Sequence, residues 1–438
     1  MLSLGPAVSR SANGEEPAEP IDVILIGGGL QGQVLVNACQ KIPGVRLRAV
    51  CDIWEAYNLK RISRILQRYG HPATPYTDYE AMLEKEKGVQ AAIVATPDFW
   101  HTRHTLACLE ARLHVYCETP MSNDVQDARR MVEAARHCGR LLQIGQQRRS
   151  NPQYVFCREK ILQEMDLLGR IVAVNGQWNR LDFSRGWPKN MQIDPAVLAK
   201  YGYDSMEQFA NWRWYKGLGS GPVVNFGSHQ IDVYNWFLDA RPVSVFVLGG
   251  TNCTDGATRQ WCDTVTVVYE YKTRRGVVTA SYQVLSTSQY DGYFERFVAD
   301  QGVLSISERA SRTRLFPGLG ISPGSASPWR SCLKKGYLTI PPEWHRFLEE
   351  RDMTDDQFVA FLVDETQRTP DQVSCTLPVR MDKLPHQPHL ENFFDTIRGN
   401  ASLNCPGEIG YETAVTVLKI NEAIEAGRKL EFRPEEFS

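Results

Sequence analysis

Over the first 150 positions of this 438-residue chain, short apolar runs alternate with stretches of helical spacing. Ile21–Ile26 (IDVILI) is almost continuously apolar and runs into glycines, as a strand covered on both faces does. Leu30–Lys41 then has helical spacing, Arg46–Cys51 (RLRAVC) reads as a second strand and Val89–Ala95 (VQAAIVA) as a later one. His114–Cys117 (HVYC) and Leu141–Ile144 (LLQI) are two more, with a helical stretch at Val125–Cys138 between them. Strand and helix in alternation predict an α/β unit over 21–150: a doubly wound parallel sheet with right-handed crossovers.

After Ser150 the pattern changes. Pro152–Leu168 reads as helix and Ile171–Trp178 (IVAVNGQW) as a half-buried strand. Val243–Leu248, Thr264–Tyr271, Val277–Leu285 and Phe294–Ala299 follow as longer alternating strands, with turn residues such as Lys272–Gly276 between them. This is the signature of a mixed or antiparallel sheet, so 151–438 is expected to form an α+β domain. Two helical patterns return between His389 and Gly427 around a break at Pro406–Gly407, and could pack back on the first domain. Pro317–Pro328, dense in Gly, Pro and Ser, reads as an exposed loop. Residues 1–20 read as a disordered leader without the apolar run of a secretory signal.

Composition narrows the function classes. Hydrophobic residues make up 42% and charged residues 23%, as in a globular protein with real cores. With 49 basic and 51 acidic residues the net charge is −2, which gives no electrostatic reason to expect nucleic acid or an anionic membrane. No run approaches the ~18 apolar residues of a membrane span. Eleven cysteines without a Cys-x-x-Cys pair fit free thiols in a reducing cytoplasm, and no metal-ligand spacing is present.

The chemistry begins at Gly27-Gly28-Gly29-Leu30-Gln31-Gly32, a G-x-G-x-x-G between a strand and a helix. Gly27 permits the tight turn, Gly29 lets backbone approach a pyrophosphate, and Gly32 lets helix and strand pack closely. The helix start at Leu30 and Gln31 then offers N–H groups and a positive dipole end to phosphate. Asp52, twenty residues past Gly32, can accept from both ribose hydroxyls and would repel a 2′-phosphate, favouring NAD over NADP. The bland alternative is a structural glycine turn beside a surface aspartate. Two further loops, Thr96-Pro97-Asp98-Phe99-Trp100-His101 and Glu118-Thr119-Pro120, follow strand ends where open α/β sheets bind ligands. Thr96, Pro97, Asp98, Trp100, His101, Glu118, Thr119 and, after the last strand, Gln146 are therefore candidate cofactor contacts.

Taken together these segments resemble the glucose–fructose oxidoreductase, inositol dehydrogenase and MocA family of NAD(P)-dependent enzymes. Its carriers are GGGLQG, TPDFWH, CETP in place of the family's E-K-P, GPVVNFGSHQID at Gly221–Asp232, and the closing HLENFFDTIRG and EIGYETAVTVLKINEA. The similarity runs from about Asp22 to Phe432, leaving out Gly318–Leu384. The resemblance implies a Rossmann domain, an α+β domain whose open sheet often forms a homo-dimer or homo-tetramer interface, and carbohydrate or polyol substrates.

It also implies a catalytic Lys, Asp and His, which fall here on Thr119, Asn225 and His229. Thr119 cannot supply a positive charge and Asn225 cannot act as a carboxylate base; each can still hydrogen-bond. His229, with an ordinary pKa near ~6.5, is left as the acid/base, with Asp232 three residues on as a group to orient it. A satisfied structural histidine is the competing reading. Gln147, Arg148 and Arg149 are expected at the cofactor cleft, with a structural arginine–carboxylate pair as the competing reading and the one favoured for either arginine taken alone. Trp178, Asn179 and Arg180, with Trp212, Arg213, Trp214 and Tyr215, combine aromatic faces and forked donors that suit sugar rings.

Three functions follow. The leading one is an NAD-dependent oxidoreductase acting on a sugar, glycoside or polyol. A redox-neutral NAD-dependent glycosidase and a non-catalytic NAD-binding protein are the alternatives.

Overall fold

The computed structural model describes residues 19–181, 185–252, 258–318, 328–340 and 374–438. Residues 1–18, most of the expected leader, and 319–327, most of the expected Pro317–Pro328 loop, lie outside the described residues.

The first sheet has six parallel strands: β1 (Ile21–Ile26), β2 (Val45–Cys51), β3 (Thr74–Tyr76), β4 (Ala91–Val94), β5 (His114–Cys117) and β6 (Leu142–Ile144), in the order β3-β2-β1-β4-β5-β6. All six residues of β1 are buried, as a strand flanked on both sides and both faces requires. Its neighbours are β2 and β4, so chain direction across the sheet reverses beside β1 and a crevice opens at the ends of β1 and β4. Local signals set the helix bounds. In the Val125–Cys138 helix the Asp124 side chain accepts from the Asp127 N–H and Gly139 closes the other end at φ +61°.

Eight strands form the second sheet: β7 (Ile171–Trp178), β8 (Pro242–Gly250), β9 (Thr264–Thr273), β10 (Gly276–Leu285), β11 (Tyr293–Ala299), β12 (Gly302–Ile306), β13 (Arg314–Pro317) and β14 (Leu430–Glu431). Their order is β13-β12-β11-β7-β10-β9-β8-β14, antiparallel except for the β7–β10 pair. The Pro222–Leu238 helix lies close against this sheet. A Cβ at Gly227 would stand 2.9 Å from the Tyr282 ring, and one at Gly176 would stand 2.4 Å from the Tyr234 hydroxyl. On the opposite face Leu248 and Val277 remain exposed, at 65% and 58%.

The fold thus matches the expected Rossmann sheet plus a largely antiparallel second sheet. Leu390, Phe393 and Phe394 of the Gln387–Ile397 helix share one buried cluster with Val23 and Leu25 of β1 and Val36 of the Leu30–Cys39 helix. No described helix is long and apolar enough to cross a membrane.

Two adjacent arginines on the turn after β6 enter the interior. Arg148, 1% exposed, pairs with Glu295 of β11 and, at 3.4 Å, with Glu308. Arg149 gives its Nε–H to both oxygens of Asp232 at 2.9 Å. Removing one partner of such a pair leaves an uncompensated buried charge. Arg148→Met is therefore expected to cost about 3–5 kcal/mol in denaturant unfolding. A loss below about 1 kcal/mol would show that the pair carries little of the stability.

Candidate functional site

A cavity of about 760 Å³ opens between the ends of β1 and β4 and the second sheet. It is lined by Gly27, Gly29, Leu30, Gln31, Asp52, Thr96, Pro97, Asp98, Trp100, His101, Glu118 and Thr119 from the first domain. Across it stand Gln147, Trp178, Arg180, Trp212, Arg213, Trp214, Asn225 and His229.

The glycine turn is built by close approach. Gly27 has φ +102°, and a Cβ there would meet the Ala95 carbonyl at 2.6 Å. A Cβ at Gly32, which lies beneath the turn, would sit 1.9 Å from the Gly27 carbonyl oxygen. Gly29 is different: the nearest atom to its missing Cβ is Asn58 Nδ2 at 3.9 Å, so the backbone faces open space. The Leu30–Cys39 helix starts there without a side-chain cap, which leaves its first N–H groups for a ligand. This cradle fits the pyrophosphate of a dinucleotide.

Asp52 accepts from the Gly28 N–H (2.8 Å), the Trp54 N–H (2.7 Å) and Asn58 Nδ2. Burial raises its pKa to about 6, with those hydrogen bonds pulling the other way. Its carboxylate lines the cavity at the end of β2, where a ribose would be reached.

The loops after β4 and β5 are locked together by His101. Its Nδ1 lies 2.9 Å from the Pro120 carbonyl and its Nε2 2.8 Å from the Thr96 carbonyl. Two carbonyl acceptors require two N–H donors, so the buried ring is an imidazolium. Burial opposes this charge, but Cys117, Asp98 and the Pro120 carbonyl outweigh it and hold the pKa up to about 9. Asp98 itself accepts from the Ser220 N–H and hydroxyl, and burial raises its pKa.

Thr119 joins a chain of hydrogen bonds. Gln146 Nε2 donates to its hydroxyl (2.9 Å), that hydroxyl donates to Ser228 (3.1 Å), and Ser228 donates to the Asn225 carbonyl (3.1 Å). That chain stops at the Asn225 backbone oxygen; the Asn225 side-chain Oδ1 separately accepts from Arg213 Nε at 3.2 Å. Asn225 and His229 are one turn apart on the Pro222–Leu238 helix and both face the cavity. The His229 ring centre lies 5.5 Å from that of Trp178, and its Nδ1 is buried without a hydrogen-bond partner.

Several expectations need correction. Asp232 does not orient His229; it is fully buried on another face of the helix, held by Arg149 and by the Thr413 hydroxyl at 3.0 Å. Arg148 and Arg149 do not line the cavity, because a buried guanidinium requires a carboxylate and both found one. The His229 pKa is not ordinary: burial, then Arg148 and His386, push it well below 6.5. Gln146 sits behind Thr119 rather than on the cavity wall. Asn179 is buried against the Tyr290–Gly292 backbone, and Tyr215 is buried off the cavity.

Sequence reasoning missed Asn58, Arg61, Arg185, Glu308 and His386, all on the wall. His386 reaches Gln31 Nε2 at 3.1 Å from 355 positions away, a contact with no local signal. Arg61, on the Lys60–Arg68 helix, also lines the cavity and donates to the Tyr57 hydroxyl at 2.8 Å.

Two outcomes follow from this geometry. Gly29→Ala is expected to leave thermal stability within about 1 kcal/mol and weaken NAD binding at least about tenfold. Gly32→Ala should instead cost about 3 kcal/mol or more, because the turn must move; calorimetry on both variants checks the contrast, and equal losses would refute it. For His101, a folded pKa above the unfolded value of about 6.5 stabilises the protein fully below that pH and is lost as pH rises toward about 9. Melting temperature should fall across that window, and this part of the slope should vanish in His101→Gln.

Comparison with known proteins agrees with this architecture. Residues 21–146 match a family model described as an oxidoreductase family with an NAD-binding Rossmann fold, and residues 164–297 match the GFO/IDH/MocA C-terminal domain. Inositol 2-dehydrogenase of Rubrobacter xylanophilus is 28% identical over 234 residues, 53% of this chain and 56% of that protein. D-glucoside 3-dehydrogenase of Escherichia coli is 27% identical over 223 residues, 50% of this chain and 55% of that protein. The chain spans about half the length of the curated relatives it matches. The solved structure of the WlbA dehydrogenase from Bordetella pertussis, in complex with NADH and UDP-GlcNAcA, shares the fold. Its TM-score is 0.64 at 17% identity, covering 95% of this chain and 99% of that one. The chain belongs to the GFO/IDH/MocA oxidoreductase family, with an NAD-binding Rossmann domain at its N-terminal end.

Proposed function

We propose that the chain is an NAD-dependent oxidoreductase acting on a sugar, glycoside or related polyol, with His229 as the proton acceptor. The observation that carries this reading is an imidazole on the cavity wall that is kept neutral by burial and by Arg148. A neutral imidazole holds one lone pair, so it accepts a hydroxyl proton at any pH above its own depressed pKa.

When bound, the nicotinamide supplies hydride exchange with carbon. The remaining work falls to side chains. Gly29 and the Leu30–Cys39 helix start hold the phosphates, and Asp52 takes the ribose hydroxyls. Thr96, Pro97, Asp98, Trp100, His101 and Glu118 form the cofactor wall, with Thr119 aligning that wall through Ser228 and Asn225. Gln147, Trp178, Arg180, Trp212, Arg213 and Trp214 form the substrate wall, where apolar faces meet the C–H faces of a ring and donors meet its hydroxyls. The names of the relatives, an inositol and a glucoside dehydrogenase, support a ring polyol as substrate.

The test is NADH formation at 340 nm on a panel of sugars and cyclitols. His229→Ala should lose about 10²–10⁴-fold in kcat while the NAD dissociation constant stays within about twofold. The acid limb of kcat/KM should lie below the ordinary imidazole value of 6.5, since the free-enzyme base titrates there. Undiminished kcat in His229→Ala would remove its role. Aglycone release from a synthetic glycoside without NADH would instead identify the redox-neutral glycosidase.

A further inference from the structure

The Glu308 carboxylate stands on the cavity wall just after β12, with its side chain 10% exposed. Neither the glycine cradle nor the proposed base uses it. Two donors from the turn after β6 hold it: Gln147 Nε2 reaches Oε1 at 3.2 Å and Arg148 Nε reaches Oε2 at 3.4 Å. It is the looser partner of Arg148, whose Nη1 is paired with the fully buried Glu295. An ionised carboxylate offers about four lone-pair sites. One donor on each oxygen leaves each with capacity for another.

Beside this carboxylate lies an aromatic platform. Trp178 and Tyr293 pack with ring centres 4.8 Å apart, and Phe226 stacks on Trp178 at 5.3 Å; all three line the cavity. The Arg148 guanidinium carbon lies 5.4 Å from the Tyr293 ring and 5.6 Å from the Trp178 ring, so the carboxylate it holds borders the same pair. The Tyr293 hydroxyl registers that charge: burial, then Glu308, push its pKa up. His229 borders the pair as well, its ring centre 5.5 Å from that of Trp178. A ring polyol lays its apolar C–H face on aromatic rings and turns its hydroxyls outward at the rim. Two neighbouring hydroxyls can each donate to one oxygen of a single carboxylate. Hydrogen bonds to an ionised acceptor are roughly twice as strong as neutral ones. A site built around them rejects an analogue lacking the hydroxyl, because its own polar group is then left unpaired.

We propose that Glu308 is a specificity-determining residue, whose carboxylate accepts hydrogen bonds from two neighbouring hydroxyls of the ring that is oxidised. Because Glu308 and His229 border one pair of rings, the substrate is a ring polyol with a free vicinal diol on the same ring as the reacting carbon. Gln147 is a positioning residue that acts through Glu308. This rests on the reading of the cavity as a polyol oxidoreductase site and names the feature of the polyol it selects.

The experiment is calorimetric titration of the NADH-loaded protein with myo-inositol, D-glucose and D-galactose, then with the monodeoxy analogues of whichever binds tightest. Wild type and Glu308→Gln are compared, and the same sugars are assayed for turnover with NAD. In wild type, removing either hydroxyl of one adjacent pair should weaken binding at least about tenfold. In Glu308→Gln the parent sugar should bind about tenfold more weakly, and the same two deletions should cost no more than about threefold. NAD affinity should stay within about twofold, which a purely structural role in holding Arg148 would not ensure. The wild-type analogue series reads the diol even if the variant misfolds. Absence of such a pair in wild type, or equal losses in both proteins, would overturn the inference. So would a variant that weakens NAD as much as sugar. Tighter binding of D-glucosamine than of D-glucose, by at least about tenfold, would assign the carboxylate to an ammonium and overturn it too. If the diol signature appears but no NADH forms, the redox reading fails while the diol site stands. If the sugars turn over without the signature, the diol site fails while the redox reading stands.

Discussion

Two consecutive guanidiniums buried at the end of the first sheet organise much of this molecule. Arg148 and Arg149 leave β6 in a dry interior, and the second domain provides the answering carboxylates: Glu295 from the sheet, Glu308 after β12, and Asp232 from the Pro222–Leu238 helix. The Tyr154 hydroxyl completes the cage with a 2.7 Å hydrogen bond to Glu295. Neither domain could bury its half of these pairs alone without stranding a charge. The Asp232 pair also fixes the rotation of the helix that carries Asn225 and His229. The same Arg148 lies 5.6 Å from the Trp178 ring and helps keep His229 uncharged. A structural ion pair and the protonation state of the proposed base are thus one arrangement.

A second consequence of domain contact is the aromatic cover over the cofactor end of the cavity. Trp54 donates its indole N–H to the Met191 carbonyl at 2.7 Å, and Trp100 donates to the Tyr201 carbonyl at 3.2 Å. Ile193, Leu198, Tyr201, Tyr203, Met206 and Trp212 form one buried cluster with Trp54. They come from the second-domain segment 193–212, in which the short helices Pro195–Lys200 and Met206–Asn211 carry Leu198 and Met206 and the flanking turns carry the rest. They lower the local polarity around Asp52 and Asp98, whose carboxyls are both raised by burial. Charged ligand groups meet fixed dipoles there instead of water.

Features set by local chemistry were legible in the sequence. The Val125–Cys138 helix has its expected bounds because Asp124 and Gly139 cap it. The glycine turn reads correctly because sterics at Gly27 and Gly32 admit nothing larger. β3 was missed: it has three residues, two of them exposed, and no apolar run announces it. The Asp232 misreading is of another kind. Spacing of three on a helix puts two residues near one face, but the choice between orienting an imidazole and neutralising Arg149 is made by a contact 83 positions away. His386 and Glu308 were invisible for the same reason. Periodicity reports which residues are buried; it does not report which charge each one answers.

The paired replacement at the catalytic positions follows the same logic of charge. The family resemblance puts a lysine at Thr119 and an aspartate at Asn225, and here both are neutral. Losing either charge alone would leave the other unbalanced beside a buried chain of hydrogen bonds; losing both keeps the sum at zero. The chain from Gln146 through Thr119 and Ser228 to Asn225 is continuous, with every link between 2.9 and 3.1 Å. It ends on the Asn225 backbone carbonyl, while the Asn225 side chain separately accepts from Arg213. A neutral relay of this kind can align groups but cannot take up a proton and keep it. That leaves the imidazole of His229, unprotonated and facing the cavity, as the group at these three positions able to accept one.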